Sequence, residues 1–395
     1  LWVMDHGAAG DYVVLDSVSF TATTQITDPA TAAYVWSYGQ LLDNWDPGSG
    51  LVRDKARFAS GDFDAIQATG SRAAATAVAA QLGVIDAGDA RHIVDTISNT
   101  LLLDTPRHSS GLWPHFVISN TGAIEIAPGT EWSSVDTVIA ATGLLAGQSG
   151  LALDTSGTEF MLGTIEWADM VYTTSMTGSI SHGYAFDGSQ LDSKWDIFGG
   201  ETWLVELAYA IQSGQATTLT YPAPPTANGS GFIDELAWLY VLPPKELDYW
   251  GNDWAAYREA AADAQIQYYP ENYPGSCFDK LGLFGLSAGE VPIPWAVAPG
   301  DIYQAFGVGG RFGGPNDGAK LLGAPVVVPH YSAMIAALRP QEATAIWNWL
   351  IEETPFSPLN TVESLMFPEN SACDPEEIQW NHLKGSWNLA LQTLG

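Results

Sequence analysis

Hydrophobic patterns of helical period dominate the chain, and they are of two kinds. Segments 64–82 and 133–146 are apolar or small on nearly every face, whereas segment 86–101 carries its apolar residues on a single stripe. A helix that is apolar all round is buried, and a striped helix lies outside it. The alternation of the two kinds predicts an inner ring of helices wrapped by an outer ring.

Helix start signals extend this alternation along the chain. Asp28-Pro29 supplies an N-cap residue and a first-turn proline, and the stretch from Glu201 to Ile211 is again apolar on most faces. Strand signals are short and few. We predict helices near 28–42, 64–82, 86–101, 133–146, 154–170, 201–211, 231–242, 251–267, 329–338, 341–353 and 375–393, and strands near 12–20, 115–118 and 178–187.

The predicted fold class is all-α, an (α/α)6 toroid with short β-hairpins in its loops. Residues 1–395 would form this single barrel domain, with residues 1–27 as an N-terminal extension packed on it. The alternative is an irregular bundle, or two bundles that meet near the Gly- and Pro-rich stretch 214–230. In a toroid, functional side chains are expected at one end, on the loops that lead into the inner helices.

The charge balance excludes several classes of partner. Lys and Arg number 14, against 45 Asp and Glu, which gives a net charge of −31. Binding to nucleic acid needs clustered bases that neutralise phosphates, and docking on anionic membranes needs them too. A membrane-spanning helix needs roughly 18 or more uninterrupted apolar residues, and the sequence has no such stretch. We therefore expect neither nucleic-acid binding nor membrane insertion.

Cysteine and histidine usage bears on disulfides and metals. Cys277 and Cys373 are the two cysteines, and the sequence leaves open whether they form one disulfide or remain two buried thiols. Two cysteines are too few for a cysteine-based zinc site, and no histidine pair has the spacing of zinc ligands. We expect no metal and no other cofactor.

Five segments carry a resemblance to a known group. They are Leu51 to Asp54 (Leu-Val-Arg-Asp), Gly129 to Thr137 (Gly-Thr-Glu-Trp-Ser-Ser-Val-Asp-Thr), Lys194 to Glu201, Phe284 to Glu290 and Pro325 to Pro329. In order and spacing they resemble bacterial glucoamylase-like (α/α)6 proteins, which include the β-1,2-glucanases and the glycan-processing domain of cyclic β-1,2-glucan synthases. One departure is Glu290, which stands where the group has an Asp.

The resemblance implies a glycoside hydrolase that cleaves a β-linked glucan, such as a β-1,2-glucan, or a related glycan. This reaction needs one carboxyl group that protonates the leaving oxygen and a second that activates water or attacks the sugar. We expect Glu201 to be the general acid and Glu131 its partner, and analogy favours inversion. Glu290, Asp317 and Glu363 are further candidates for the second carboxylate.

Sugar rings stack on aromatic side chains, and their hydroxyls bind acids and amides. Arg53 could alternatively pair with Asp54, and His115 and His182 are expected to bind hydroxyl groups. The predicted substrate-binding residues are Asp136, Trp195, Asp196, His115, His182, Trp132, Arg53, Glu290 and Arg311.

Other interpretations of the same residues remain open. Glu131 and Glu201 could each complement the positive end of a helix without taking part in catalysis. The chain could also be a non-catalytic glycan-binding homologue, or a transglycosylase or polysaccharide lyase on the same scaffold. The partner expected in every case is an oligo- or polysaccharide, bound by a monomer that is secreted or periplasmic.

Overall fold

The computed structural model describes residues 28–56, 62–120, 123–171, 179–195, 199–214, 229–241, 247, 251–292, 303–309, 314–358, 360–381 and 383–395. The predicted extension 1–27, with its strand near 12–20, lies outside the described residues. So do residues 215–228 of the stretch considered as a linker. That the whole chain forms a single domain stays a prediction.

Helices make up most of the described chain. They are α1 Pro29–Leu41, α2 Ile66–Gln81, α3 Ala87–Asn99, α4 Ser134–Gly150, α5 Ser156–Gly163, α6 Trp167–Met170, α7 Gly200–Ser213, α8 Gly231–Tyr240, α9 Trp254–Asn272, α10 Cys277–Leu281, α11 Ala319–Leu322, α12 His330–Met334, α13 Pro340–Glu353 and α14 Ser386–Leu394. Shorter helical turns lie at Leu42–Asn44, Thr100–Asp104 and Pro375–Glu377.

Six helices of the described residues close into a ring. In ring order they are α2, α4, α7, α8, α12 and α14, and α14 returns to contact α2. Helices α1, α3, α5, α9 and α13 pack against members of this ring. Helix α2 is buried on nearly every face, whereas α3 buries only Ala90, Val94 and Ile97. The predicted (α/α)6 toroid, with buried inner helices and striped outer ones, is confirmed.

Helices α2 and α4 pack with their backbones in contact. A Cβ atom added at Gly143 would lie 2.6 Å from the carbonyl oxygen of Gly70, and one added at Gly147 would lie 2.6 Å from the backbone of Ala73. A Cβ atom at Gly70 would collide with the backbone of Ala140. Only glycine permits this approach, so these positions fix how far apart the two helices lie.

Short strands precede several inner helices. The strands are β1 Lys55–Ala56, β2 Asp64–Ala65, β3 Phe116–Asn120, β4 Ala123–Ile126, β5 Trp132–Ser133, β6 Ile180–Ser181, β7 Gly183–Tyr184, β8 Lys194–Trp195, β9 Ala288–Glu290, β10 Tyr303–Ala305, β11 Ser364–Met366, β12 Gln379–Asn381 and β13 Lys384–Gly385. Strands β2, β5 and β13 run directly into α2, α4 and α14, and β8 lies just before α7. The side chains at the N-termini of these inner helices are thereby gathered at one end of the barrel.

Two helix predictions were wrong. The helix expected at 375–393 begins only at Ser386, because β12 pairs with β11 and β13 pairs with β1, which uses the backbone groups a helix would need. The helix expected at 154–170 is divided into α5 and α6. The division lies where the backbone N–H of Glu166 donates to the carbonyl oxygen of Ser110 at 2.8 Å.

The question left open about the cysteines is answered by a disulfide between Cys277 and Cys373. It joins α10 to the loop before the turn at Pro375–Glu377. Within the part of the chain that the structure describes, no helix is both long and apolar enough to cross a bilayer.

Candidate active site

A cavity of about 780 Å³ opens at the end of the barrel where the inner helices begin. Because inner-helix N-termini converge there, it collects side chains that are far apart in the sequence. Of the predicted site residues it brings together Glu131, Asp136, Glu201, His115, His182, Trp195 and Glu290. Glu363, one of the further candidates for a second carboxylate, lines it as well.

Three of these side chains form a group that we call the His115 cluster: His115, Glu131 and Asp136. The Nδ1 atom of His115 lies 2.9 Å from Glu131 Oε1 and 3.8 Å from Asp136 Oδ2. Asp136 lies in the first turn of α4, whose N-cap Ser133 accepts a hydrogen bond from the Asp136 backbone at 3.2 Å. The imidazole is therefore next to two carboxylates.

The three members of the cluster differ in how readily each one is protonated. Burial alone would lower the pKa of His115, but the charges of Asp136 and Glu131 outweigh it and raise that pKa to about 9. The hydrogen bond from His115 lowers the pKa of Glu131. Burial raises the pKa of Asp136, although the charge of His115 opposes this. Glu131 is thus the carboxyl group that stays ionised most readily.

Glu201 lies in the first turn of α7 and faces the same cavity. The preceding residue must be Gly200, since a Cβ atom there would come within 2.8 Å of the α8 backbone at Ile233 and Ala237. This close approach fixes the start of α7. Burial, and then the negative charge of Asp136, raise the pKa of Glu201 to about 8, with His115 opposing. Glu201 is therefore protonated at neutral pH.

An aromatic wall lies beside these carboxyl groups. The ring of His182 stacks on the indole of Trp195, with centroids 3.9 Å apart. The indole N–H donates to Ser134 Oγ at 2.8 Å, and this hydroxyl in turn donates to the carbonyl oxygens of Ser181 and His182. The hydrogen bond fixes the orientation of the indole, and the His182 ring stacks on it, which gives the cavity an aromatic surface for a sugar face.

A second group lines the cavity, and we call it the Lys55 cluster: Lys55, Glu290, Glu363 and Asn388. Lys55 Nζ lies 2.7 Å from Glu290 Oε1 and 4.0 Å from Asp54 Oδ2. Glu363 accepts a hydrogen bond from the Asn388 amide and one from the Glu290 backbone N–H at 3.5 Å. Burial raises the pKa of Glu363 to about 8, although the Asn388 hydrogen bond opposes this.

Other predicted site residues lie elsewhere or outside the described residues. Arg53 forms an ion pair with Asp62 at 2.6 Å and does not line the cavity. The ring of Trp132 packs near His108, with centroids 5.6 Å apart, and is also not part of the lining. Asp196 and Arg311 lie outside the described residues.

Asp317, a further candidate for the second carboxylate, is not part of the cavity lining either. Its carboxylate accepts hydrogen bonds from the hydroxyls of Tyr268, at 2.7 Å, and Tyr273. These bonds join helix α9, through Tyr268 and its C-cap residue Tyr273, to the loop that carries Asp317. The geometry therefore gives Asp317 a structural role.

Sequence reasoning missed several lining residues. Gln67, in the first turn of α2, lies with its Nε2 atom 3.2 Å from His115 Nε2. Trp387 and Asn388 lie in the first turn of α14. They were missed because the helix was predicted to begin at 375, which placed both residues in its interior. Lys55 directly follows the Leu-Val-Arg-Asp segment, which was the one available signal for it.

The His115 cluster also raises the question of a metal ion. Its three ligand-type atoms lie within 4.8 Å of one another. The separation of 2.9 Å between His115 Nδ1 and Glu131 Oε1 is that of a hydrogen bond, and because the pKa of Glu131 is lowered the proton lies on Nδ1. A nitrogen that carries this proton cannot bind a metal at the same time, so we interpret the contact as a hydrogen bond. The expectation of no cofactor stays a prediction.

Comparison with solved structures identifies the fold. A candidate glucoamylase from Bacteroides caccae superposes with a TM-score of 0.69 at 12% identity, over 93% of this chain and 91% of that chain. An endo-β-1,2-glucanase from Chitinophaga pinensis, in complex with sophorotriose and glucose, gives 0.66 at 14% identity, over 93% and 90%. The endo-β-1,2-glucanase from Talaromyces funiculosus with sophorose gives 0.61 at 12%, over 93% and 83%.

Sequence comparison adds nothing to this, since no protein-family model and no curated protein matches the chain. At sequence identities of 12–14%, these comparisons show that the fold is shared but do not show that the activity is. The resemblance found in the sequence is nevertheless confirmed at the level of structure: the chain has the glucoamylase-like (α/α)6 fold, which it shares with endo-β-1,2-glucanases.

Proposed function

We propose that this protein is a glycoside hydrolase in which Glu201 is the general acid and Glu131 is its partner carboxylate. The observation that carries the proposal is that both side chains line one cavity while their surroundings shift their pKa values in opposite directions. Two carboxyl groups separated in this way can perform the acid and base roles of glycoside cleavage at the same pH.

Each role follows from the local environment. Glu201, with a pKa raised to about 8, holds a proton that it can donate to the leaving glycosidic oxygen. Glu131, held ionised by its hydrogen bond from His115, can accept a proton from water or contact the sugar directly. Activity would fall above about pH 8 as Glu201 loses its proton.

The substrate we propose is a β-linked glucan of the β-1,2 type. Two observations support it. The structural relatives include endo-β-1,2-glucanases with bound sophorotriose or sophorose. The cavity itself presents the stacked rings of His182 and Trp195 beside carboxyl groups, a combination that suits a neutral sugar.

The setting we propose is secreted or periplasmic, with the protein acting as a monomer. A disulfide between Cys277 and Cys373 agrees with an oxidising compartment. Labelling the thiols of the protein isolated from its native host tests the setting, since free cysteines there would contradict it. Light scattering tests the monomer.

The decisive experiment compares Glu201→Gln and Glu131→Gln with a control, Glu125→Gln, on a panel of β-glucans. Glu125 is an exposed acid on β4 that does not line the cavity. We expect each cavity variant to lose about 10²–10⁴-fold in the release of reducing ends, because it removes one proton-transfer group, and the control to keep full activity. Wild-type activity in both cavity variants would refute the assignment.

A parallel measurement separates hydrolysis from mere binding. Calorimetry on the Glu201→Gln variant should show oligosaccharide binding retained, since the amide keeps the shape of the side chain. A wild-type protein that binds glucans and hydrolyses none of them would instead be a non-catalytic glycan-binding homologue. NMR of the first-formed anomer tests inversion, which remains the expected stereochemistry.

A further inference from the structure

His115 is the side chain of the cavity whose charge state the proposed reaction leaves unassigned. Its Nδ1 atom contacts Glu131 at 2.9 Å and has Asp136 at 3.8 Å. One proton on Nδ1 can satisfy only one of these carboxylates by a hydrogen bond. A neutral imidazole would leave the second negative charge uncompensated beside the first, in a partly buried site.

The charges around the ring come from several elements. Glu131 precedes β5, Asp136 lies on α4, Asp54 precedes β1, and Glu201 lies on α7. All of these are acids, and the charges of Asp136, Glu131 and Asp54 favour a protonated ring. Two further basic side chains of the described residues line the cavity: Lys55 contacts Glu290 at 2.7 Å, and His182, whose ring stacks on Trp195, contributes to the lowered pKa of Glu131.

Gln67 faces the other ring nitrogen. Its Nε2 atom lies 3.2 Å from His115 Nε2, and its buried Oε1 atom has no hydrogen-bond partner among the described residues. The two ends of an amide are nearly alike in shape, so its orientation is assigned from the hydrogen bonds it makes. Turned over, the amide places its oxygen where it accepts a proton from Nε2 of a doubly protonated ring.

We propose that His115 is a positioning residue that is held as an imidazolium at neutral pH, bound by Glu131 on one side and by the amide oxygen of Gln67 on the other. What this charge does for catalysis rests on the proposed role of Glu131, whereas the charge state itself does not. The imidazolium keeps Glu131 ionised and prevents Glu131 and Asp136 from sharing a proton as a like-charged pair.

The consequence is that Glu131 stays ionised, and can act as a base, down to a lower pH. Without the positive charge, two neighbouring carboxylates compete for a proton, and the pKa of one of them rises. An opposite charge within contact distance lowers the pKa of a carboxyl group by about 1–3 units. Loss of His115 should therefore move the acid limb of the pH–rate profile upward by about that amount.

The direct test is NMR of the full-length, EDTA-treated protein carrying ¹⁵N-labelled histidine. The seven histidines give seven pairs of ring-nitrogen signals, and comparison with His115→Gln assigns the pair in question. We expect both ring nitrogens of His115 to be protonated at pH 7.5. A neutral ring at that pH would overturn the proposal, whether or not the protein proves to be a hydrolase. His92→Gln, at an exposed site on α3, is the matched control and should leave the His115 signals in place.

The variant Gln67→Met distinguishes the two orientations of the amide by the direction in which the pKa of His115 changes. If the amide oxygen accepts from an imidazolium, removing it lowers the pKa of His115. If the amide NH₂ group instead donates to a neutral ring, the same substitution raises that pKa, which would overturn the proposal. Glu131→Gln should lower the pKa of His115 in either arrangement and shows that the measurement responds to local charge.

The catalytic part is tested by the pH dependence of kcat/KM. His115→Gln should move the acid limb upward while activity recovers at higher pH, a pattern that a merely misfolded site would not give. An unmoved acid limb would overturn the positioning role even if the ring is an imidazolium. If no substrate in the panel is hydrolysed, the proposed function fails, and the NMR result still decides the charge state.

Discussion

The His115 cluster and the Lys55 cluster have the same arrangement of charged groups, but they differ in how deeply they are buried. In each, one cation lies within 4.0 Å of two carboxylates: His115 with Glu131 and Asp136, and Lys55 with Glu290 and Asp54. The side chains of the His115–Glu131 pair are 26% and 38% exposed, against 9% and 4% for Lys55 and Glu290. Water reaches the first pair and hardly reaches the second.

This difference in exposure indicates which cluster is suited to proton transfer and which cluster stabilises the structure. A partly hydrated pair can gain or lose a proton at modest cost, and its imidazole titrates in an accessible range. A buried pair whose cation is an ammonium is costly to disturb, because either ion left alone has no water to replace its partner. The His115 cluster is therefore suited to proton transfer, and the Lys55 cluster to holding the opposite carboxyl groups in place.

The largest effect should follow from breaking the buried pair. Lys55→Met leaves Glu290 without its ammonium partner, and we expect a loss of about 3–5 kcal/mol in the free energy of unfolding. His115→Gln should cost less, since Glu131 is 38% exposed and can be hydrated when the imidazole is removed. Urea denaturation of the two variants measures both values.

The double variant Lys55→Met/Glu290→Met is the control for this comparison. It removes both charges and should recover most of the stability, because a buried ion pair replaced by apolar groups is often neutral. Equal losses in Lys55→Met and His115→Gln would show that burial does not distinguish the two clusters.

A smaller effect concerns the pH dependence of stability. Glu363 has a pKa of about 8 in the folded protein and an ordinary value of 4.5, so the folded state holds a proton that the unfolded chain releases. Its contribution is complete below pH 4.5 and is lost as the pH rises through about 8. Glu363→Gln should remove a slope of up to about 1.4 kcal/mol per pH unit in this window.

His115 provides the contrast, because its folded pKa is raised from 6.5 to about 9. The stability it contributes is complete below pH 6.5 and is lost as the pH rises through about 9. Denaturation curves from pH 4 to pH 10 for wild type, Glu363→Gln and His115→Gln should differ in these two windows, which overlap only between about pH 6.5 and pH 8. Identical pH profiles in all three proteins would contradict both assignments.

The smallest effect is expected at the aromatic wall. Trp195→Phe removes the hydrogen bond to Ser134 while keeping an aromatic ring, and should cost about 0.5–1.5 kcal/mol. A double-mutant cycle with Ser134→Ala measures the coupling, which would vanish if the bond contributes nothing. The KM for a glucan should rise more in Trp195→Phe than in His115→Gln if the wall binds sugar.

The sequence predicts the ring because hydrophobic pattern alone distinguishes buried helices such as α2 from striped ones such as α3. It also predicts Glu131, Asp136 and Glu201 as site residues, because they lie next to helix starts within segments that resemble the glucoamylase-like group. The Lys55 cluster could not be predicted in the same way. Its members come from four separate segments, and only the closed ring and the pairing of β13 with β1 place Lys55 near Asn388.

The charge states of the site residues could not be predicted from the sequence either. The motif from Gly129 to Thr137 identifies Glu131 and Asp136 as acids, but nothing in it shows that His115 lies between them and the amide of Gln67. The pKa of a carboxyl group depends on burial and on neighbours within a few ångströms, and both of these are set by tertiary packing.

The glycine contact between α2 and α4 has a consequence for protein engineering. Gln67 and Asp136 lie in the first turns of these two helices, so the contacts of Gly70, Gly143 and Gly147 set the distance across which both residues reach His115. A library aimed at new glycan specificity should keep these glycines constant. Variation belongs in the hairpin that carries Phe186, an exposed lining residue whose replacement leaves the helix spacing unchanged.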